Sequence, residues 1–173
     1  MNRHVLSVLV EDQSGVLSRV AGLFSRRGYN IDSLSVGKTE EPGISRMTIV
    51  VWGDDQILEQ IKKQLNKLIN VLKVVELDPE HSVFRELALI KVKTDLTTRA
   101  SVIEVVSIFR ANIVDVSPDS LTVEMTGDES KIEAFINLMN SYGLIEIVRT
   151  GLTAIQRGHQ ALHEQELENT EEV

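Results

Sequence analysis

Hydrophobic and polar positions alternate from the start of the chain. Leu6, Val8 and Val10 fall on one side of an extended segment and Ser7 and Leu9 on the other, which predicts a strand buried on at least one face. Beyond Asp12 and Ser14 the period changes. Val16, Leu17, Val20, Ala21, Leu23 and Phe24 recur at helical spacing, and Arg26-Arg27-Gly28 puts basic residues and a glycine where a helix should stop. Asp12 and Ser14 are of the residue types that cap helix starts. Asn30 to Val36 reads as a second strand, Glu40-Glu41-Pro42-Gly43 as a turn, and Ile44 to Trp52 as a third strand closing a hairpin. Gly53-Asp54-Asp55 opens a second helix with Ile57, Leu58, Ile61, Leu65 and Leu68 on one stripe. Asn70 to Leu77 gives a fourth strand, and Asp78-Pro79-Glu80-His81 a boundary.

The same order then returns. Leu87 to Val92 is a strand, Thr97 to Arg110 a helix with Val102, Val105, Val106 and Phe109 inward, and Asn112 to Val116 a strand. Ser117-Pro118-Asp119-Ser120 is a turn and Leu121 to Met125 a strand. Gly127-Asp128 opens a helix with Ile132, Phe135, Ile136 and Met139 inward, and Leu144 to Val148 closes the unit. Asn112-Ile113 repeats Asn30-Ile31 at an offset of 82 residues. The reading is an α+β protein of two tandem ferredoxin-like (βαββαβ) domains, each a four-stranded antiparallel sheet with two helices on one face. The first domain spans residues 1–78, a linker 79–83, the second domain 84–158, and an acidic tail 159–173. In this topology the strand order is 4-1-3-2, so the strand at Asn30 is an edge. One sheet face of each unit is expected to be uncovered, and burial of a face or an edge by a partner favours oligomers. After Gly151, Leu152, Ile155, Leu162 and Leu167 among polar residues suggest a frayed helix that docks on a partner.

Composition narrows the function. The net charge of -8 divides evenly, since residues 157–173 carry five glutamates against Arg157. A mildly acidic body with 4% aromatic residues argues against nucleic acid as a partner. The longest apolar runs are far short of the roughly 18 residues that span a bilayer, so no membrane is expected. The N-terminus lacks the form of a signal peptide, and the expected location is the cytoplasm or a plastid stroma. Without cysteine there is no disulfide, thiolate metal site or thiol catalysis.

No catalytic constellation stands out. His159 and His163 are four residues apart, as metal ligands on a helix can be, but their setting reads as a solvated face and no metal is assigned. Gly22 and Gly28 read as close packing and a helix stop, Arg26-Arg27 and Lys62-Lys63 as helix surface, and Trp52 as a packing or contact residue. The stretch Glu11 to Leu17 is the candidate site. Asp12, Ser14 and Gly15 are compatible with an ordinary capped turn. They also leave N–H groups of a helix start available to a carboxylate. The edge strand at Asn30 can meet its own copy across a two-fold axis. A ligand could then lie between one subunit's turn and the other's Asn30.

These residues resemble the ACT-domain small subunit of acetolactate (acetohydroxyacid) synthase. The resemblance runs from Leu6 through Asp12-Gln13-Ser14-Gly15-Val16-Leu17 to Phe24, and continues in Arg27-Gly28-Tyr29-Asn30-Ile31-Asp32-Ser33-Leu34 and Ser45-Arg46-Met47-Thr48. Lys63 to Leu68 and Arg85 to Val92 extend it, so that it covers about residues 3–158. It implies a first domain of ACT type and a regulatory subunit without catalytic activity of its own. Such a subunit forms a homodimer, binds and activates the catalytic large subunit, and confers feedback inhibition by valine, leucine or isoleucine at the ACT dimer interface. By position, Asp12 should meet the effector's amino group, and the N–H groups of Gly15, Val16 and Leu17, in the turn made with Ser14, its carboxylate. Asn30 and Ile31 of the neighbouring subunit should complete the site. Thiamine diphosphate, Mg²⁺ and FAD would belong to the large subunit, and this chain would carry no cofactor. A stand-alone amino-acid sensor acting on another target is the alternative.

Overall fold

A computed structural model describes residues 2–162. The chain divides into two compact units, one of residues up to 83 together with those from 152 onward, the other of residues 84–151. The first contains β1 (Asn2–Glu11), α1 (Val16–Arg27), β2 (Ile31–Lys38), β3 (Ile44–Gly53), α2 (Asp55–Leu65) and β4 (Val71–Glu76). Its sheet runs β2-β3-β1-β4, all antiparallel. Leu6, Val8 and Val10 of β1 pack with Met47, Ile49 and Val51 of β3 against Val20, Leu23 and Phe24 of α1 and Leu58, Ile61 and Leu65 of α2. Burying each such side chain contributes about 1.5–3 kcal/mol, which is why the strand and helix periods meet on one seam. At the end of α1, Gly28 takes the left-handed conformation (φ 68°), and its N–H and that of Tyr29 donate to Ser25 O and Phe24 O.

The second unit repeats this plan with most of β5 (Ser82–Lys93), followed by α3 (Arg99–Ile108), β6 (Asn112–Ser117), β7 (Ser120–Gly127), α4 (Glu129–Asn140) and β8 (Leu144–Arg149), in the order β6-β7-β5-β8. The duplication extends to the irregularities. β4 slips register on β1 between Leu9 and Val10, and β8 slips on β5 between Lys91 and Val92. β2 slips on β3 between Ile31 and Ser33, and β6 on β7 between Ile113 and Asp115. Every bulge recurs 82 residues on, and bulges are specific features of a strand pair, not random defects. The stretch expected as a linker, 79–83, consists of a single 3-10 turn, Pro79–His81, and the first two residues of β5.

The two sheets differ in burial. Along β5 and β7 buried and half-buried residues alternate, the sign of a sheet with one covered face. In β1 a run of five consecutive residues, His4 to Val8, is buried, and Val5, Ser7, Thr48 and Val50 are buried although they alternate away from the helices. The first sheet is therefore covered on both faces, contrary to the expectation of a bare one. Residues 152–162 account for part of that cover. They were expected as a frayed helix; instead Thr153–Gln156 is a short strand, β9, which pairs with β5. Leu152, Ala154 and Leu162 are buried, and Ile155 is exposed. Four residues alternating in burial cannot show a helical stripe, and their partners are remote in sequence. Leu167, His163 and the acidic residues that follow lie outside the described residues.

Among the described residues, two of the four helices begin at a carboxylate cap, and a third follows a turn held by one. Asp54 accepts from Ile57 N–H and Asp128 from Lys131 N–H, each at 2.9 Å. Asp95 accepts from Thr97 N–H (2.8 Å), Thr98 N–H (2.9 Å) and Thr97 Oγ1 (2.6 Å) ahead of α3. The Thr97 hydroxyl and these amides hold the Asp95 carboxyl down at about 2. Because this folded value lies below the ordinary one, the carboxylate stabilises the fold above about pH 4, and that contribution is lost as pH falls from about 4 towards 2. Asp95→Asn should therefore be less stable than the parent at neutral pH, with the gap closing on acidification; a gap unchanged at pH 2.5 in urea titrations would contradict the assignment. Leu152→Ala should lower unfolding free energy by about 2 kcal/mol, because it leaves a buried void under residues 152–162. A loss below half of that would show that this segment packs only loosely.

Candidate functional site

The turn between β1 and α1 is fixed from both sides. Asp12 N–H donates to Gly43 O at 2.8 Å, which ties the turn to the β2–β3 hairpin, and Gln13 N–H donates to Glu11 O at 2.9 Å. Gly15 occupies the helix N-cap position with φ 85° and ψ -8°, a left-handed conformation that a residue with Cβ adopts only with strain. Neither Asp12 nor Ser14 caps the helix: α1 has no side-chain cap and no acidic residue in its first turn. This corrects the expectation of an Asp or Ser cap. The physical reason is that Gly15 turns the backbone itself, and Val16 N–H reaches only Gln13 O, at 3.4 Å.

The N–H groups of Gly15, Leu17 and Ser18 have no acceptor among the described residues. The contrast with α2 and α4 is chemical. Where those helix ends hold an aspartate, α1 presents open donors and the positive end of its dipole. Ser14, Gly15 and Leu17 are exposed and Val16 is buried in the core.

Polar side chains surround the turn. The Asp12 carboxylate lies 3.8 Å from Lys38 Nζ, at the end of β2. Asn70 Nδ2 donates to Glu11 Oε2 at 2.6 Å, and Arg19, one helical turn from Gly15, donates to Asn70 Oδ1. Asn70 is buried, and its carbonyl accepts from Glu11 N–H at 2.9 Å. Lys38, Arg19 and Asn70 were not singled out from sequence. The available signal for Arg19 was its place one turn past Gly15; for Lys38 and Asn70, remote in sequence, there was none.

Asn30 is exposed and immediately precedes β2; Ile31 is half-buried, opposite Val51, and packs on the core. Within one chain the candidate residues fall into two groups. Lys38 pairs with Ser45 and Glu11 with Ile44, so the Asp12 turn adjoins the far end of β2. The seven strand steps from Ile31 to Lys38 span roughly 23 Å. Asp12, Ser14, Gly15, Val16 and Leu17 are thus together, and Asn30 and Ile31 are apart from them. β2 is an edge strand, with one row of backbone groups unpaired by the sheet.

Elsewhere the site chemistry is sparse. Among the described residues, no group of three or more His, Asp or Glu side chains is placed to hold a metal. His159 is exposed and His163 lies outside the described residues. Among the described residues no helix is long and apolar enough to cross a membrane.

Two protein families match the chain. The family described as "AHAS small subunit-like ACT domain" matches residues 6–73, and that described as "Small subunit of acetolactate synthase" matches residues 85–158. The acetolactate synthase small subunit of Mycobacterium bovis is 60% identical over 159 residues, covering 92% of this chain and 95% of the relative. A protein described as the probable small subunit of Methanothermobacter thermautotrophicus is 54% identical over 160 residues, with 92% and 95% covered. The crystal structure of the acetolactate synthase small subunit from Thermotoga maritima is 47% identical, with a TM-score of 0.87 over 92% of this chain and all of that one. With both units matched in order, the chain belongs to the acetolactate synthase small-subunit family, and its first unit is an ACT domain.

Proposed function

We propose that this chain is the regulatory subunit of a cytoplasmic acetolactate synthase. In this reading it has no catalytic activity of its own, binds and activates the catalytic subunit, and makes it sensitive to a branched-chain amino acid, valine foremost. Thiamine diphosphate, Mg²⁺ and FAD sit on the catalytic subunit. The observation that carries the effector part is the open N-terminus of α1 beside an edge strand.

An amino acid has the charges this turn lacks and holds. Its carboxylate takes the free N–H groups of Gly15 and Leu17, where a charged hydrogen bond contributes about 1.5–3 kcal/mol. Its ammonium pairs with Asp12, displacing Lys38 from a contact that at 3.8 Å and in solvent is weak. The exposed Leu17 side chain offers apolar contact to a branched aliphatic group.

The second half of the site comes from a second copy. If two β2 strands pair antiparallel about a two-fold axis between Leu34 and Ser35, the Lys38 end of one faces the Ile31 end of the other. Asn30 and Ile31 of one copy then approach Asp12 to Leu17 of its partner. The dimer and the ligand thus stabilise each other, and a ligand that prefers one dimer arrangement biases the enzyme by population shift.

Asn30→Ala should raise the valine concentration for half-inhibition of the reconstituted enzyme at least tenfold, about 1.4 kcal/mol, with activation of the catalytic subunit retained. Gly15→Asp should abolish inhibition, since it places a carboxylate where the effector's would lie and strains a left-handed residue. Normal inhibition in both variants would overturn the site, and failure of the chain to co-purify with a catalytic subunit would favour a stand-alone sensor.

A further inference from the structure

Residues 152–162 lie on the ACT-domain sheet on the side away from α1 and α2, and their attachment is specific. Leu152 N–H donates to Ser33 Oγ, and Ser35 Oγ donates to Leu152 O, each at 2.8 Å. Both backbone groups of one residue are thereby held by two hydroxyls on the same face of β2, two positions apart. Further on, Arg157 N–H donates to His81 O at 2.7 Å. Leu152, Ala154 and Leu162 are buried apolar anchors. Between the segment and the sheet is a cavity of about 230 Å³, lined by Leu9, Ile44 and Arg46 below and Ile155, Gln156 and Leu162 above. The strap is therefore incompletely packed, and the paired hydroxyls add two directed hydrogen bonds to the strand pairing of β9 with β5.

The strand that holds it is the compliant one. β2 bonds to β3 along one edge only, and its register slips between Ile31 and Ser33, at the first residue of the clasp. Its other edge is the one that the effector and the second copy would occupy. The strap begins one residue after Gly151 (φ 79°), the last residue of the second unit, which is joined to the first at this crossing and at 83–84.

We propose that residues 152–162 are a strap that transmits the state of the β2 edge: loading that edge firms the Ser33–Leu152–Ser35 clasp, and the clasp carries effector occupancy into the segment leading from the second unit. Ser33 and Ser35 are positioning residues and do not touch the effector. The transmission to inhibition rests on the effector reading above; the dependence of the strap on its two serines does not.

The test is the double variant Ser33→Ala/Ser35→Ala in the full chain. Without ligand, backbone amide exchange over residues 152–156 should be at least tenfold faster than in the parent. Valine should slow that exchange in the parent and not in the variant. Calorimetry should show valine binding within threefold of the parent, while maximal inhibition of the reconstituted enzyme falls by half or more. This split between retained binding and lost inhibition is one that a general loss of stability would not produce. Equal exchange in parent and variant overturns the proposal, as does full inhibition in the variant. If the parent binds none of valine, leucine or isoleucine, the effector reading fails, and the ligand-free exchange comparison still decides whether the serines hold the strap.

Discussion

The N–H groups at the start of α1 are the constraint on which the rest of this molecule turns. A helix end of this kind is often satisfied within the chain, and α2 and α4 are capped by Asp54 and Asp128. At α1 the left-handed Gly15 brings the chain into the helix without a side-chain cap, and Gly15, Leu17 and Ser18 keep their donors among the described residues. Leaving such donors to solvent gives up the ~1 kcal/mol that a cap usually contributes. In the proposed function a ligand carboxylate would recover it, and the Asp12 turn is held in place by Gly43 and by the Glu11–Asn70–Arg19 network.

Duplication makes the difference between the two units informative. Two bulges of the first unit recur in the second at a spacing of 82 residues, so the backbones share one plan. The turns ahead of the first helices diverge: in the second unit the Asp95 carboxylate accepts from Thr97 and Thr98 N–H, whereas the first unit enters α1 through a left-handed Gly15. The sheet faces diverge as well, with the first unit covered on both sides and the second keeping the alternation of a one-sided sheet.

Much of the fold was legible because its determinants are local. The period of two in Leu6-Val8-Val10 and the helical stripe Val16 to Phe24 announce β1 and α1, and Arg26-Arg27-Gly28 announces the helix stop that Gly28 makes. The doubling followed from Asn30-Ile31 and Asn112-Ile113. What was not legible depends on remote partners. β9 is four residues long and is held by Ser33 and Ser35, more than a hundred positions away. The caps failed for a related reason: Asp12 and Ser14 are of capping type, but whether a side chain or Gly15's backbone makes the turn is settled by the bond from Asp12 N–H to Gly43. At the site, the turn itself was readable, whereas Lys38, Arg19 and Asn70 join it only through the sheet register. The separation of Asn30 from Asp12 within one chain follows from that same register.

In the proposed function an uncapped helix start on one subunit and an edge strand on another together hold an amino acid. The most direct test is calorimetric titration of the purified chain, confirmed as a dimer, with valine, leucine and isoleucine in turn. Saturable heat is expected for at least one of them, absent in the Gly15→Asp chain. No heat for any of the three, from a folded dimer, would contradict it.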